Sequence, residues 1–214
     1  DGDPLTYSIS AGNSAGLFAI DFSSGVITTA GSLDYETTQS YTLNVSVVDT
    51  GSATASADFT VTVTDTNDNA PVFGQSSYSA SVNDTTSAGT QLVTATATDA
   101  DAGSTLIYSI TAGNGSSLFA INSSSGAVTT ASSLLNNSGS HSLTLSASDG
   151  TNTGTAVLAI TVSDLTAPSA PTVTGTAATN NNTPTLTGTA EPNSTVTVYS
   201  GSTLLGHLTA TAGG

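Results

Sequence analysis

The sequence predicts an all-β protein built from tandem β-sandwiches, and three observations support this fold class. Lys, Arg and Met, which favour helices, are absent from the 214 residues, whereas Thr and Val, which favour strands, are frequent. Apolar and polar residues alternate in several short runs, as they do in half-buried strands. The sequence also repeats itself at a period of roughly 100 residues, which is the size of one β-sandwich.

The predicted strands are the segments in which every second residue is apolar. The clearest run is 41–47, which begins with Tyr41 and ends with Val47. Clusters of Ser, Gly, Asp and Asn at 23–25, 123–126 and 149–152 predict the turns between such runs. Three further runs alternate in the same way: Phe59, Val61 and Val63; Val93, Ala95 and Ala97; and Leu158, Ile160 and Val162.

The internal repeat defines the domain organisation. The segment 7–9 returns at 108–110, and Leu17-Phe18-Ala19-Ile20 returns at 118–121. A period of this length indicates separate sandwiches and not a solenoid, whose repeats are about 20–50 residues long. The composition changes after residue 166, where two prolines mark a linker. We therefore predict domains at 1–70, 71–166 and 167–214, with the first and last incomplete, so that the chain is expected to be part of a longer array.

The charge balance restricts the partners of the chain. A formal net charge of −15 with no Lys or Arg excludes the cationic surface that nucleic-acid binding requires and disfavours anionic membranes. No apolar run approaches the roughly 20 residues that span a bilayer. Without Cys there are no disulfides or thiolate metal sites, and without Lys there is no isopeptide cross-link. Metal ions are the remaining means of stabilising such a chain.

The acidic residues cluster at the predicted ends of strands. Close carboxylates repel one another unless a cation lies between them. Calcium binds six to eight hard oxygen ligands and accepts carboxylates, amide oxygens and backbone carbonyls. The sequence therefore predicts calcium as the bound ion. The acids in question are Asp34, Glu36, Asp65, Asp68, Asp99, Asp101 and Asp149.

Three motifs resemble those of cadherin repeats. Leu33-Asp34-Tyr35-Glu36 resembles the LDRE motif, the run 65–73 (DTNDNAPVF) resembles the DxNDNAPxF linker, and Asp99-Ala100-Asp101 resembles the DxD motif. The resemblance extends from residue 1 to about residue 165. It implies Ig-like and cadherin-like Greek-key β-sandwiches arranged in an extended extracellular rod, with a cluster of three calcium ions at each junction.

The resemblance also implies which residues bind calcium. Asp1, Asp3 and Asp49 match the side of a repeat that faces a preceding neighbour, and a second cluster is expected there if that neighbour is present. Three divalent ions would nearly neutralise the seven carboxylates of the first junction. The ligands implied for that junction are Asp34, Glu36, Asp65, Thr66 through its carbonyl, Asn67, Asp68, Asn69, Asp99, Asp101 and Asp149.

The second repeat departs from the pattern at its C-terminal end. Leu134-Leu135-Asn136-Asn137 stands where an acidic LDxE motif is expected, and the following linker, 164–168, retains only Asp164. Asp84 occupies the place of an early Glu. We expect few or no ions at this second junction, with a single ion at Asp84 or Asp164 left open. The run 183–199 (TPTLTGTAEPNSTVTVY) of the last module resembles bacterial Ig-like domains of large secreted adhesins.

Other functional classes receive little support. His141 and His207 are isolated and have no Cys or second His near them in the sequence, and no GxSxG motif is present, so we expect no enzyme. The predicted function is a calcium-rigidified segment of a large cell-surface adhesin, with neighbouring domains, other copies or a target surface as partners. An extracellular filament or surface layer, and a spacer in a secreted enzyme, remain alternatives. The Tyr residues at 7, 41, 78 and 108 are predicted core residues, with a sugar-binding platform as the alternative.

Overall fold

The computed structural model describes residues 2–174 and 187–211, and within these ranges the regular structure consists of β-strands without a helix. This result confirms the predicted all-β class. Asp1 and the first residues of the run at 183–199 lie outside the described residues. The described strands form a first repeat, a second repeat and a last module, in the order that the internal sequence repeat predicts.

The first repeat contains two small antiparallel sheets. Its strands are β1 (Thr6–Ala11), β2 (Phe18–Ile20), β3 (Ile27–Thr29), β4 (Ser40–Val48) and β5 (Thr54–Thr62). The sheets have the orders β1-β4-β5 and β2-β3. Leu43 of the predicted 41–47 run is fully buried, and Phe18 is 5% exposed. The Phe18 ring meets the half-buried Tyr41 edge to face at 5.2 Å between centroids, so Tyr41 packs at the margin of the core.

The second repeat is the best-packed part of the described chain. Its strands are β6 (Val72–Phe73), β7 (Ser77–Asn83), β8 (Gln91–Thr94), β9 (Ala97–Thr98), β10 (Ile107–Ala112), β11 (Phe119–Ile121), β12 (Ala127–Thr130), β13 (Gly139–Ser148) and β14 (Thr153–Ser163). The sheets have the orders β10-β13-β14-β7, β11-β12-β8 and β6-β9, and β7 runs parallel to β14. The inward residues of β14, Leu158, Ile160 and Val162, are each at most 2% exposed, in agreement with the predicted alternation.

The two repeats share local hydrogen bonds as well as the order of their strands. Asn13 bonds both backbone groups of Phe18, and Asn114 makes the same pair of hydrogen bonds with Phe119. Gly113 has a φ of +85°, and a Cβ there would overlap the carbonyl oxygen of Ser142 on the neighbouring strand, so only glycine fits. The internal sequence repeat is therefore a repeat of structure.

One pair of equivalent positions differs between the repeats. Leu158 in β14 is fully buried, whereas Phe59 in β5 is 49% exposed. β7 covers the outer edge of β14, but no described strand pairs with the corresponding edge of β5. The alternation of Phe59, Val61 and Val63 is therefore a weaker guide to burial, because burial at this edge depends on a neighbouring strand.

The last module consists of two hairpin-like pairs in its described part. Its strands are β15 (Thr172–Thr174), β16 (Thr187–Thr189), β17 (Thr195–Ser200) and β18 (Thr203–Thr209). β15 pairs with β16, and β17 pairs with β18, all antiparallel. The apolar side chains of this module are poorly covered: Val173 is 67% exposed and Leu205 is 64% exposed.

Candidate metal centre

Five acids from three parts of the chain meet at the linker between β5 and β6. Glu36 follows the first repeat's β3, Asp65 lies in the linker, and the other three belong to the second repeat. Carboxylate oxygens of Glu36, Asp65 and Asp101 lie within 4.8 Å of one another, as do those of Asp99, Asp101 and Asp149. Asp101 belongs to both groups and is 5% exposed.

The local backbone orients two of these carboxylates in the same way. Asp149 lies in the β13–β14 turn, and its Oδ1 accepts the N–H groups of Thr151 and Asn152, both at 2.6 Å. The Oδ1 of Asp99 accepts the N–H of Asp101 at 3.0 Å. One oxygen of each side chain is thus fixed by the protein backbone.

The second oxygen of each of these side chains has no partner. The Oδ2 atoms of Asp99 and Asp149 are buried without a hydrogen bond, and so is the Oδ1 of Asp65, whose Oδ2 accepts the N–H of Ala102 at 2.8 Å. Buried carboxylate oxygens without partners are costly. The donor set consists of hard, anionic oxygens at the spacing of shared ligands, and it therefore fits calcium.

The linker asparagines make hydrogen bonds at this cluster, Asn69 as a donor and Asn67 as an acceptor. The N–H of Asn69 donates to Asp101 Oδ2 at 3.1 Å, and its Nδ2 donates to Asp101 Oδ1 at 2.9 Å and to Asp68 Oδ1 at 3.0 Å. Asn67 Oδ1 accepts a bond from Asn152 Nδ2 at 3.2 Å. Both residues lie at the site: Asn69 orients the carboxylates of Asp101 and Asp68, and Asn67 connects the linker to the second repeat through Asn152.

Several sequence-predicted ligands lie at the margin of the cluster. Asp34 is exposed, and its carboxylate accepts both the hydroxyl and the N–H of Thr37, which hold its pKa below the ordinary value. Asp68 and Thr66 are also exposed. None of these three residues belongs to either group of three acids.

The acids assigned to a preceding junction are separate from this site. Asp3 is exposed. Asp49 lies in a turn in which its Oδ1 accepts the N–H of Ala53 at 2.8 Å, much as Asp149 is held in the second repeat. Among residues 2–174 and 187–211, neither belongs to a group of three potential ligands, and Asp1 lies outside these ranges.

The cluster has an electrostatic imbalance that the chain itself cannot correct. The N–H of Glu36 favours its carboxylate, but desolvation and the charges of Asp65, Asp101 and Asp68 outweigh it and raise the pKa of Glu36 above its ordinary value. Burial raises the pKa of Asp149, but the bonds from Asn152 and Thr151 outweigh burial and lower it overall. Because the sequence has no Lys or Arg, neutralisation requires a cation from solution.

The raised pKa of Glu36 leads to a prediction about the calcium-free protein. A group whose pKa is raised in the folded state contributes its stability below its ordinary pKa, and this contribution is lost as the pH rises through the raised value. The variant Glu36→Gln should therefore melt at a slightly higher temperature than the wild type near pH 7 without calcium, and the effect is small because the side chain is exposed. Calcium affinity should fall in the same variant.

Melting curves recorded between about pH 4 and pH 7 in calcium-free buffer check this prediction. The difference between variant and wild type should shrink as the pH falls and Glu36 becomes protonated. A calcium-free variant that melts below the wild type at neutral pH contradicts the proposed repulsion.

The second junction is organised differently. Asp84 is 2% exposed, and its two oxygens accept the N–H of Leu165 at 3.0 Å and the hydroxyl of Thr166 at 2.8 Å. The bond from Leu165, which outweighs desolvation, lowers the pKa of Asp84. At the position of the missing acidic motif, Leu134 is fully buried and Asn136 adopts a left-handed conformation with φ of 61°. Asp84 therefore fastens the chain that leaves the second repeat.

One residue at the first junction was not predicted from the sequence. Asn152 extends from the second repeat to the linker and donates hydrogen bonds to Asn69 and Asn67. The only signal was its position in the turn that begins at Asp149, where an asparagine is also typical of an ordinary turn. His141, in contrast, packs its ring against Phe119 at 5.6 Å inside the second repeat, away from the acids.

Tandem β-sandwich repeats joined by an acidic linker define the structural class, and comparisons with known proteins give the family. The model of the cadherin domain matches residues 3–64 and 78–163. The chain therefore belongs to the cadherin family. Within the residues that the structure describes, no helix is long and apolar enough to cross a membrane.

Individual relatives and solved structures agree with this assignment. The chain is 38% identical to human protocadherin Fat 4 over 128 residues, which covers 58% of this chain and 3% of that protein. It is 41% identical to mouse cadherin-23 over 128 residues, covering 57% of this chain and 4% of that protein. The chain thus spans a small fraction of the length of the curated relatives it matches.

Two crystal structures show the same fold. Repeats EC1-2 of human protocadherin-24 superpose with a TM-score of 0.68 and 32% identity, covering 78% of this chain and 84% of that one. Repeats EC22-24 of mouse cadherin-23 superpose with a TM-score of 0.67 and 31% identity, covering 77% of this chain and 55% of that one. The resemblance inferred from the three sequence motifs is confirmed.

Proposed function

We propose that the chain is a calcium-rigidified, extracellular tandem-repeat segment of a large cell-surface adhesion protein. Its domains are 1–70, 71–166 and 167–214, arranged as an extended rod. The observation that supports this function most strongly is the pair of acid groups that share Asp101, with three buried carboxylate oxygens lacking partners. A cluster of this kind at a linker has a mechanical use, because it joins two repeats only when a cation is bound.

The acids that would bind the ion come from three segments of the chain. Glu36 provides the carboxylate of the first repeat, Asp65 that of the linker, and Asp101 that of the second repeat. Bound calcium supplies the positive charge that lets these groups remain close together. Backbone N–H groups orient Asp99 and Asp149 of the second repeat, so that half of the site is ordered before an ion binds. Loss of the cation leaves like charges facing one another across the junction, which favours separation of the first repeat.

The remaining predicted ligands extend the same proposal. Calcium binding would recruit the exposed side chains at the margin of the cluster, and their local bonds would rearrange accordingly. These ligands are Asp34, Thr66 through its carbonyl, Asn67, Asp68 and Asn69, together with Asp1, Asp3 and Asp49 at a preceding junction. Neighbouring domains of the same protein are its structural partners, and other copies or a target surface are partners of the whole protein.

Small-angle X-ray scattering of the chain, with calcium and with a chelator, tests this function. We expect a defined maximum dimension in calcium and a broader, more flexible profile after chelation. Magnesium at the same ionic strength is the control, since it dehydrates reluctantly and prefers octahedral sites. Identical scattering profiles in calcium and chelator would rule out the mechanical role.

A further inference from the structure

Asn152 forms an uncharged bridge between the second repeat and the linker. Its Nδ2 lies 2.9 Å from the carbonyl oxygen of Asn69 and 3.2 Å from the Oδ1 of Asn67, residues more than 80 positions earlier in the sequence. Asn152 and Asn69 are both half-buried. These bonds connect neutral groups, so they do not depend on the charge of the acidic cluster beside them.

The turn that carries Asn152 holds the residue firmly. Its N–H donates to Asp149 Oδ1 at 2.6 Å, and its carbonyl oxygen accepts the hydroxyl of Ser148 at 3.1 Å. The same turn orients Asp149, whose Oδ2 is one of the buried oxygens without a partner. The amide of Asn152 and the carboxylate of Asp149 are therefore positioned together by one short segment.

The other hydrogen bonds that join the linker to a repeat also go to the second repeat. Asp65 Oδ2 accepts the N–H of Ala102, and the N–H and Nδ2 of Asn69 donate to Asp101. Within residues 2–174 and 187–211, no hydrogen bond joins linker residues 65–69 to the first repeat. The contact of Glu36 with the cluster is one between like charges.

We propose that Asn152 is a positioning residue that keeps the linker on the second repeat in the absence of calcium. The calcium-free chain then bends between the end of β5 and Asp65, and the linker moves with the second repeat. Calcium then meets a linker that already lies on the second repeat, and the bonds of Asn67 and Asn69 rearrange as the ion draws in the acids of the first repeat. This last step rests on the proposed function, whereas the bridge itself does not. Preorganisation of this kind increases affinity because less order is lost on binding.

Amide hydrogen exchange followed by NMR in calcium-free buffer tests the bridge. In Asn152→Ala, the N–H of Asn69, which bonds Asp101, should exchange at least about fivefold faster than in the wild type; about fivefold is the effect of losing one neutral hydrogen bond, and the variant loses two. The variant Asn152→Asp keeps the shape, removes the N–H donors and adds a negative charge beside the acids, so exchange at Asn69 should be at least as fast as in Asn152→Ala. The amides of Leu143 and Leu158 in the core report that the second repeat remains folded.

Asn114→Ala is the matched control, since Asn114 makes a pair of bonds with Phe119 inside the second repeat. It should leave exchange at Asn69 unchanged. Equal exchange at Asn69 in the wild type, Asn152→Ala and Asn152→Asp overturns the proposal. A calcium titration of the same proteins separates the two inferences: absence of calcium binding by the wild type contradicts the proposed function, while the exchange data still decide the role of Asn152.

Discussion

Asp101→Asn is expected to lower calcium affinity at the junction by at least about 100-fold, or roughly 2.7 kcal/mol. Asp101 is the carboxylate that both acid groups share, so its loss removes a ligand from each of them. The asparagine side chain has the same shape, and its oxygen can still accept the N–H of Asn69. Isothermal titration calorimetry of calcium binding provides the measurement. The calcium-free variant should be about as stable as the wild type, because the loss of one buried charge offsets the loss of the bond from Asn69 Nδ2.

Asp21→Asn is the control for this experiment. Asp21 accepts four hydrogen bonds from Ser23 and Ser24 in a turn of the first repeat, and the corresponding turn of the second repeat has Asn122 in the same role. The control therefore removes one negative charge with a side chain that the fold already uses there. Equal calcium affinity in Asp101→Asn and Asp21→Asn would show that Asp101 does not bind the ion.

Leu158→Ala is expected to destabilise the second repeat by about 2–5 kcal/mol. Its side chain is fully buried in the main hydrophobic cluster, so truncation removes apolar contacts and leaves a cavity. Phe59→Ala at the equivalent position of the first repeat should cost less despite its larger side chain, because about half of Phe59 is exposed. Urea denaturation of both variants in saturating calcium measures the two effects.

The expected difference between these variants depends on the exposure of Phe59, since no described strand pairs with the outer edge of β5. If Phe59→Ala destabilises the chain as much as Leu158→Ala, then Phe59 must be covered in solution, and the exposed edge described for the first repeat is wrong. Ala159→Ser, an exposed position on the opposite face of β14, serves as a control for substitutions in this strand and should have little effect.

The sequence predicted the sandwich architecture where the pattern of side chains determines burial. Residues at 41–47 and 158–162 lie in β4 and β14, and each of these strands has a partner on both sides. Alternation predicts burial well in β14, whose two faces meet different environments, but in β4 only Leu43 is fully buried and the residues that follow it are half-buried on both faces. It did not predict the exposure of Phe59, since that property depends on which strands pair with β5.

The sequence also predicted that acids from both repeats and the linker lie together, but not how each residue is held there. Motif spacing brought Glu36, Asp65 and Asp101 to one place. It did not distinguish Asp34, whose carboxylate is engaged by Thr37 next to it. Asn152 was missed because its bonds to the linker join positions far apart in the sequence, which local spacing does not reveal.

Distance measurements between spin labels on the two repeats test the central claim most directly. The chain has no Cys, so Thr28→Cys and Ser79→Cys place one label on each repeat at exposed positions without competing thiols. We predict a broad distance distribution in chelator that narrows to one population as calcium is added, and no narrowing when Asp101→Asn is also present. A distribution of the same width at every calcium concentration would contradict calcium-dependent rigidity of this junction.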